Sequence, residues 1–268
     1  MKELLHRINK GPSIVFYIIL SFVVLSFLLF LLIDVFNVFG VKYLMIQNLD
    51  IPYFWYHWYD MPFEVPLQWY VLGITLMIFA INAGIALERK SKEVYTFWLI
   101  MSVGLLLMLV EDAGDVRHAI RNKIDGGGSY GILSSIFELF YFSVIGFILI
   151  YAFLKYRNVF WEIRDVRKYL IIGYLLYAFG VSLSFIGSAF SSFLGFSLYE
   201  KIGQCIFPWL MVRDDVSVLI YEQALYHNEL IEFKFLDMLP EESLELIGAG
   251  GLLTAGVHFF VYYRSKGN

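Results

Sequence analysis

Six long apolar runs constrain the fold of this chain more than any other feature. The hydrocarbon core of a bilayer is about 30 Å thick, so a helix crosses it with about 20 apolar residues. The runs cover residues 13–39, 67–87, 94–112, 130–154, 169–194 and 244–263. Each should be helical, because lipid offers no hydrogen-bond partner to the backbone. The sequence therefore predicts an all-α integral membrane protein, a six-helix bundle in one polytopic domain, 1–268.

The composition agrees with a membrane protein and excludes several other classes. Hydrophobic residues make up 59% of the chain and charged residues only 16%, too few to cover the surface of a soluble domain. A net charge of -4 gives no reason to expect a nucleic acid partner. The single cysteine, Cys205, excludes an intramolecular disulfide and a cysteine-based zinc site. The lipid bilayer is the predicted partner.

The positive charges predict the orientation. With the N-terminus inside, 13 of the 20 Lys and Arg residues fall on the inner side and 7 on the outer side. An excess of basic residues in short loops marks the cytoplasmic side. We therefore predict that both termini are inside and that the protein is a multi-pass protein of the plasma membrane. The first run is too long for a signal-peptide core and is expected to remain as a span.

A charged stretch ends the third run. On a continuous helix, Glu111, Asp115 and His118 share one face, because residues at i, i+4 and i+7 lie above one another. Charges next to hydrocarbon are unfavourable unless they are paired or hydrated. This spacing predicts a polar cluster at the outer membrane face.

Acidic residues in two other runs join this cluster. Glu138 lies eight residues into the fourth run, a depth of roughly 12 Å. A carboxylate at that depth indicates a buried partner, a water-filled cavity or a proton site. A protonated Glu138 that is hydrogen-bonded to Ser134 or to the backbone of a neighbouring helix is the alternative. Glu242 and Glu245 open the last run on the same predicted side.

The cluster has the chemistry of a metal site. Carboxylates and imidazole suit iron, manganese or zinc, and the pair Asp115-x-x-His118 has the spacing found in di-metal helix bundles. Such bundles normally carry two acid-x-x-His pairs, and this chain shows one. The predicted metal ligands are Glu111, Asp115, His118, Glu138, Glu242 and Glu245.

Two other interpretations of the polar residues stay open. In the first, the acids form a structural ionic network with Arg117, Arg121, Lys123 and Arg213. In the second, His57, His118 and His227 make a three-histidine zinc site.

The last run is rich in small residues, which leave part of the helix surface without large side chains. Gly248, Gly251 and Gly256 favour close helix–helix approach, which would bring Glu245 near Glu111 or Glu138. His258, deeper in the same run, is interpreted as a packing residue.

The outer segments 40–66 and 195–243 carry their own patterns. Residues 53–59 are nearly all aromatic, which favours a lid along the interface. Residues 231–235 alternate apolar and charged, which predicts a small extracytoplasmic β-hairpin between the fifth and sixth helices. A short helix over 218–226 is the alternative. A protein partner could bind at 195–240.

Three function classes follow, and no catalytic motif chooses between them. The first is a membrane metalloenzyme that acts on lipids or lipid-like substrates at the outer leaflet. The second is a proton- or cation-coupled transporter in which Glu138, Glu111 and Asp115 form an ion path from the outside. The third is an assembly protein whose ionic network is structural. The reaction and the oligomeric state are left open.

Overall fold

Six long helices dominate the protein, whose computed structural model describes residues 2–30, 32, 38–40, 64–114, 116–124, 131–186 and 238–266. They are α1 (Lys2–Phe30), α2 (Glu64–Glu88), α3 (Lys92–Gly114), α5 (Ile132–Lys155), α7 (Arg164–Phe185) and α8 (Met238–Ser265). Each is long and apolar enough to cross a membrane. The predicted multi-pass, six-helix class is confirmed. The inside orientation of the termini and the choice of the plasma membrane stay predictions.

Shorter elements connect the long helices. These are α4 (Val116–Ile124), α6 (Arg157–Trp161) and a 3₁₀ turn at Val38–Gly40. Phe39 has a φ of 58° in that turn, so the predicted end of the first span is not α-helical. The described part of the chain contains no strand, and the predicted hairpin, the aromatic lid and the protein-binding segment lie outside it.

The helix bounds differ from the apolar runs at the polar ends. The fifth run begins at Tyr169, whereas α7 begins at Arg164. Hydropathy detects only the part of a helix that lies in hydrocarbon, while the charged first turn extends into the headgroup layer. The predicted end of this run, residue 194, lies outside the described residues.

The last helix, α8, is the centre of the bundle. In its span 72% of the residues are buried, against 17% in the span of α5. It packs most extensively on α7 and also on α2 and α1, whereas α5 packs on α3. A Cβ on Gly248 would lie 2.9 Å from the carbonyl oxygen of Gly173, so the backbones of α7 and α8 are in contact. The predicted role of the small residues is confirmed.

At the end of the bundle that contains Ser13 and His258, polar side chains make contacts between helices. The Oγ of Ser13 lies 3.0 Å from Nε2 of His258, whose ring stacks on Tyr169 with centroids 5.7 Å apart. Asn82 donates its Nδ2 hydrogen to the Gly256 carbonyl at 3.0 Å. The interpretation of His258 as a packing residue is confirmed. The contact between Ser13 and His258 also shows that the start of α1 and the end of α8 lie at the same end.

Candidate functional site

A small acidic cavity lies at the end of the bundle opposite this contact. Its volume is about 50 Å³. The end of α3 and the start of α8 supply its acids, because these two helices meet there with opposite directions. The lining residues are Glu111, Asp112, Glu241, Glu242, Glu245, Phe142 and Val181. We refer to this space as the acidic cavity.

Gln68 joins two of these acids. Its Nε2 donates to Oδ2 of Asp112 and to Oε2 of Glu245, each at 2.7 Å. The two acceptor oxygens are therefore no more than 5.4 Å apart, twice that distance. Two negative charges at this separation repel by roughly 3 kcal/mol at an effective dielectric constant of 20. The amide dipole offsets part of this repulsion.

The amide of Gln68 is completely buried, with an exposed fraction of 0%. Its carbonyl oxygen, Oε1, has no hydrogen-bond partner among the described residues. Pro66 precedes it in the first turn of α2, a position where the missing backbone N–H is tolerated. The start of α2 therefore holds a buried amide oxygen, Oε1 of Gln68, that has no hydrogen-bond donor among the described residues, while the nitrogen of the same amide contacts two carboxylates.

A glycine on α7 makes room for Glu245. A Cβ on Gly180 would lie 2.7 Å from Cγ of Glu245 and 3.1 Å from the carbonyl oxygen of Glu241. Glu245 therefore lies directly against the backbone of α7 and is only 5% exposed. The close packing of α7 on α8 positions this carboxyl group.

A second cavity adjoins the acidic cavity. Its volume is about 220 Å³, and it shares Glu111, Phe142 and Val181 with the acidic cavity. Apart from Glu111, Ser182 and two tyrosines its lining is apolar. The remaining lining residues are Met108, Ile145, Gly146, Leu149, Tyr174, Tyr177, Ala178 and Ser182.

An apolar groove continues from the second cavity between α5 and α7. It has a volume of about 400 Å³ and shares Gly146, Leu149, Tyr174 and Ala178 with the second cavity. From Phe142 to Leu154 the path follows α5 for about 18 Å, at 1.5 Å per residue. The other lining residues are Ile150, Phe153, Leu154, Ile171 and Leu175. We call this space the lipid groove, because exposed apolar side chains of the two membrane-spanning helices α5 and α7 line it.

The structure brings some of the predicted site residues together. Glu111, Glu242 and Glu245 line the acidic cavity. Glu138 is buried on α5, 4% exposed, one turn before Phe142, and does not line that cavity. The Ser134 hydroxyl donates to the Gly131 carbonyl at 2.8 Å, which leaves its oxygen free to accept a hydrogen bond from a protonated Glu138, so that interpretation stays a prediction.

The predicted metal site and ionic network stay predictions. Asp115 and the side chains of Arg117, His118 and Arg121 lie outside the described residues, as do His57, Arg213 and His227. Within the described part of the chain, no three His, Cys, Asp or Glu side chains are grouped so that they could hold a metal ion. Helix α3 ends at Gly114 and α4 begins at Val116, on either side of Asp115.

Sequence reasoning missed three residues of the cavity region. Asp112 follows Glu111 by one position and therefore does not belong to the helical face that Glu111, Asp115 and His118 share. Glu241 precedes the apolar part of the last run. Gln68 carried a usable signal, since it is a lone amide in the apolar start of the second run, two residues after Pro66.

Comparisons of this chain with protein-family models, with curated proteins and with solved structures find no match.

Proposed function

We propose that this protein binds a lipid-like molecule that enters from the bilayer between α5 and α7. Its chain would occupy the lipid groove and its polar head would reach the acidic cavity. The observation that carries the proposal is the path through three adjoining spaces, which share lining residues from the membrane-facing groove to Glu111.

The apolar end and the polar end of this path should contribute differently to binding. A lipid chain that moves from the bilayer into the groove gains little hydrophobic free energy, because lipid tails are already apolar. The groove therefore provides access and shape, and the polar end provides selectivity. A lipid-directed metalloenzyme is one form of this proposal, with Glu111, Asp115, His118, Glu138, Glu242 and Glu245 as ligands for iron, manganese or zinc.

A coupled transporter is the weaker alternative. An ion path needs polar groups that continue from the acidic cavity towards the opposite face. Asn82 and His258 are the candidates in that half, and both are engaged in contacts between helices. Their hydrogen bonds support a packing function, so we favour lipid binding.

Blocking the lipid groove tests the proposal. Gly146 lines both the second cavity and the lipid groove, and a Cβ placed on it meets no heavy atom within 4 Å. Gly146→Leu should fill the path without disturbing the helix packing. Gly73 of α2 has equally open surroundings and lines neither space, so Gly73→Leu is the matched control.

The measurement is native mass spectrometry of the full chain purified in mild detergent. We expect wild type and Gly73→Leu to retain bound molecules of lipid size. The fraction of Gly146→Leu chains that carry such a molecule should be at least tenfold lower than in wild type. Equal occupancy in all three proteins would refute lipid entry between α5 and α7.

A further inference from the structure

We propose that Lys155, Arg164 and Arg167 bind the phosphate group of an anionic phospholipid that lies in the bilayer beside α5 and α7. This surface lipid is distinct from the molecule that we place in the lipid groove, and the inference does not depend on entry through that groove. The end of the bundle that contains Ser13 and His258 would then select its surrounding lipids by charge.

The three cations lie at the same end of the bundle, where two spans meet the lipid headgroups. Lys155 is the last residue of α5, and Arg164 is the first residue of α7. The membrane spans of these helices end and begin at the same two residues. Five of the residues from 155 to 168 are basic and two are acidic. This segment therefore carries a net positive charge at the level of the lipid phosphates.

The two arginines are on the side of α7 that faces the lipid groove. Arg164 and Arg167 precede Ile171 by seven and four positions, which puts all three on one helical face. Ile171 lines the lipid groove together with Leu154, the residue before Lys155. The cations therefore flank the end of the groove, where a lipid beside α5 and α7 presents its head.

The two acids of this segment face another way. Asp165 precedes Tyr169 by four positions, so it shares the face on which the Tyr169 ring stacks on His258 of α8. Glu162 lines a separate cavity of about 250 Å³, which it shares with Lys266 at the end of α8. The acids are thus directed towards α8 and the arginines towards the lipid, so positive charge faces the bilayer.

Aromatic side chains position two of the cations. The Arg167 guanidinium lies 4.9 Å from the ring centre of Trp161, and its Nη1 donates to the Trp161 carbonyl at 3.1 Å. Nζ of Lys155 donates to the Tyr151 hydroxyl at 2.5 Å and lies 5.6 Å from the ring centre of Tyr156. Neutral partners of this kind hold a cation without cancelling its charge. A guanidinium has five N–H donors, so the bond to Trp161 leaves donors for a phosphate, which arginine can bind through two parallel hydrogen bonds.

Site-resolved photocrosslinking in vesicles tests the inference. A lipid held by its head exchanges with detergent, so the full chain is reconstituted in phosphatidylcholine vesicles. Phosphatidylglycerol and phosphatidylcholine analogues with the same photoreactive group near the glycerol are compared at equal mole fraction, and labelled peptides are identified by mass spectrometry. We expect the anionic analogue to label residues 151–171 at least fivefold more than the zwitterionic one. Equal labelling by the two analogues would overturn the inference.

Paired variants show whether the two arginines make this selection. Arg164→Gln combined with Arg167→Gln should reduce the ratio of anionic to zwitterionic labelling at residues 151–171 at least threefold. Arg164→Lys combined with Arg167→Lys keeps the charge and should retain most of the ratio, which separates a loss of charge from a loss of fold.

The matched control removes two cations elsewhere at the same end. Lys90 and Lys92 are exposed at the turn before α3 and at its first residue, and the preceding Arg89 contacts the Tyr263 carbonyl at the end of α8. Lys90→Gln combined with Lys92→Gln should leave the ratio at residues 151–171 unchanged. An equal reduction in both Gln pairs would indicate a diffuse effect of charge and overturn a site at the arginines.

Two further measurements distinguish this lipid from other ligands. Inorganic phosphate should not lower the anionic labelling more than chloride does at the same ionic strength; selective competition by phosphate would make free phosphate the ligand. Gly146→Leu should leave the labelling ratio unchanged, because the proposed contacts lie outside the groove. Loss of the anionic preference in Gly146→Leu would assign the anionic lipid to the groove and overturn a separate surface site.

Discussion

Gln68 and Glu245 lie 177 positions apart in the chain and share a buried hydrogen bond of 2.7 Å. The bond joins the start of α2 to the start of α8, the most buried helix of the bundle. The same amide nitrogen also reaches Asp112 at the end of α3. One side chain therefore links three helices at the acidic cavity, and its removal should affect all of them.

Replacing Gln68 should destabilise the protein. Gln68→Leu keeps the approximate volume but leaves a buried acceptor on Glu245 and a half-buried one on Asp112 without this donor, and we expect a loss of about 1–3 kcal/mol in unfolding free energy. Gln68→Glu should be more harmful at neutral pH, because it adds a carboxylate between Asp112 and Glu245. The difference between the two variants should narrow as the pH falls and carboxylates take up protons. Thermal unfolding in detergent at two pH values measures both effects. A Gln68→Leu variant as stable as wild type would contradict the structure.

Close contact between α7 and α8 predicts a sensitive glycine. A Cβ on Gly248 would lie 2.9 Å from both the Gly173 carbonyl oxygen and the Tyr177 backbone nitrogen, and backbone atoms cannot move aside cheaply. Gly248→Ala should therefore lower stability by about 1–3 kcal/mol through overpacking. Gly84→Ala, on the open side of α2, has no heavy atom within 4 Å of the new Cβ and should be neutral. Similar melting temperatures for the two variants would argue against the contact.

The two acids Glu138 and Glu111 should differ in their contribution to stability. Glu138 is buried, 4% exposed, whereas Glu111 is half-buried at the cavity. We expect Glu138→Ala to lower stability by about 2–4 kcal/mol, because its partners would be left in a low-dielectric setting. Glu111→Ala should have a smaller effect, since water can replace the carboxylate.

Glu138→Gln distinguishes a charged Glu138 from a neutral one. An ion-paired or metal-bound carboxylate should not tolerate the amide, whereas a protonated one should tolerate it almost neutrally. Equal stability of wild type, Glu138→Ala and Glu138→Gln would show that this side chain lies in a hydrated space.

The metal prediction has its own test. A site formed by Glu111, Asp115, His118, Glu138, Glu242 and Glu245 should retain about one iron, manganese or zinc ion per chain after purification and careful loading. His118→Ala should release that ion, and Lys123→Ala on the same helix should not. Elemental analysis of the detergent-purified protein measures the content; sub-stoichiometric values for all three metals would end the prediction.

Part of the candidate site could be predicted from the sequence. Glu111, Glu242 and Glu245 were selected because acids at the ends of apolar runs need a compensating environment, and all three line one cavity. Gly248 and Gly251 correctly predicted close helix approach, because small residues at helical spacing have few other uses in a membrane span. Asp112 and Gln68 were missed, because helical-face arguments consider one helix at a time, whereas residues of the four helices α3, α5, α7 and α8 line the cavity.

The sequence by itself determined that this is a six-span helical membrane protein. Run length and apolarity are sufficient for that conclusion, because a bilayer excludes unpaired backbone groups and leaves the helix as the available solution. Only the tertiary structure decided which helix is central and where α5 and α7 separate to form the lipid groove. Helices in lipid associate through close van der Waals packing and interhelical hydrogen bonds, and not through the hydrophobic effect. The apolarity of a span therefore does not indicate which other helices it contacts. The 2.7 Å contacts of Gln68 and the open space at Gly146 follow from that packing.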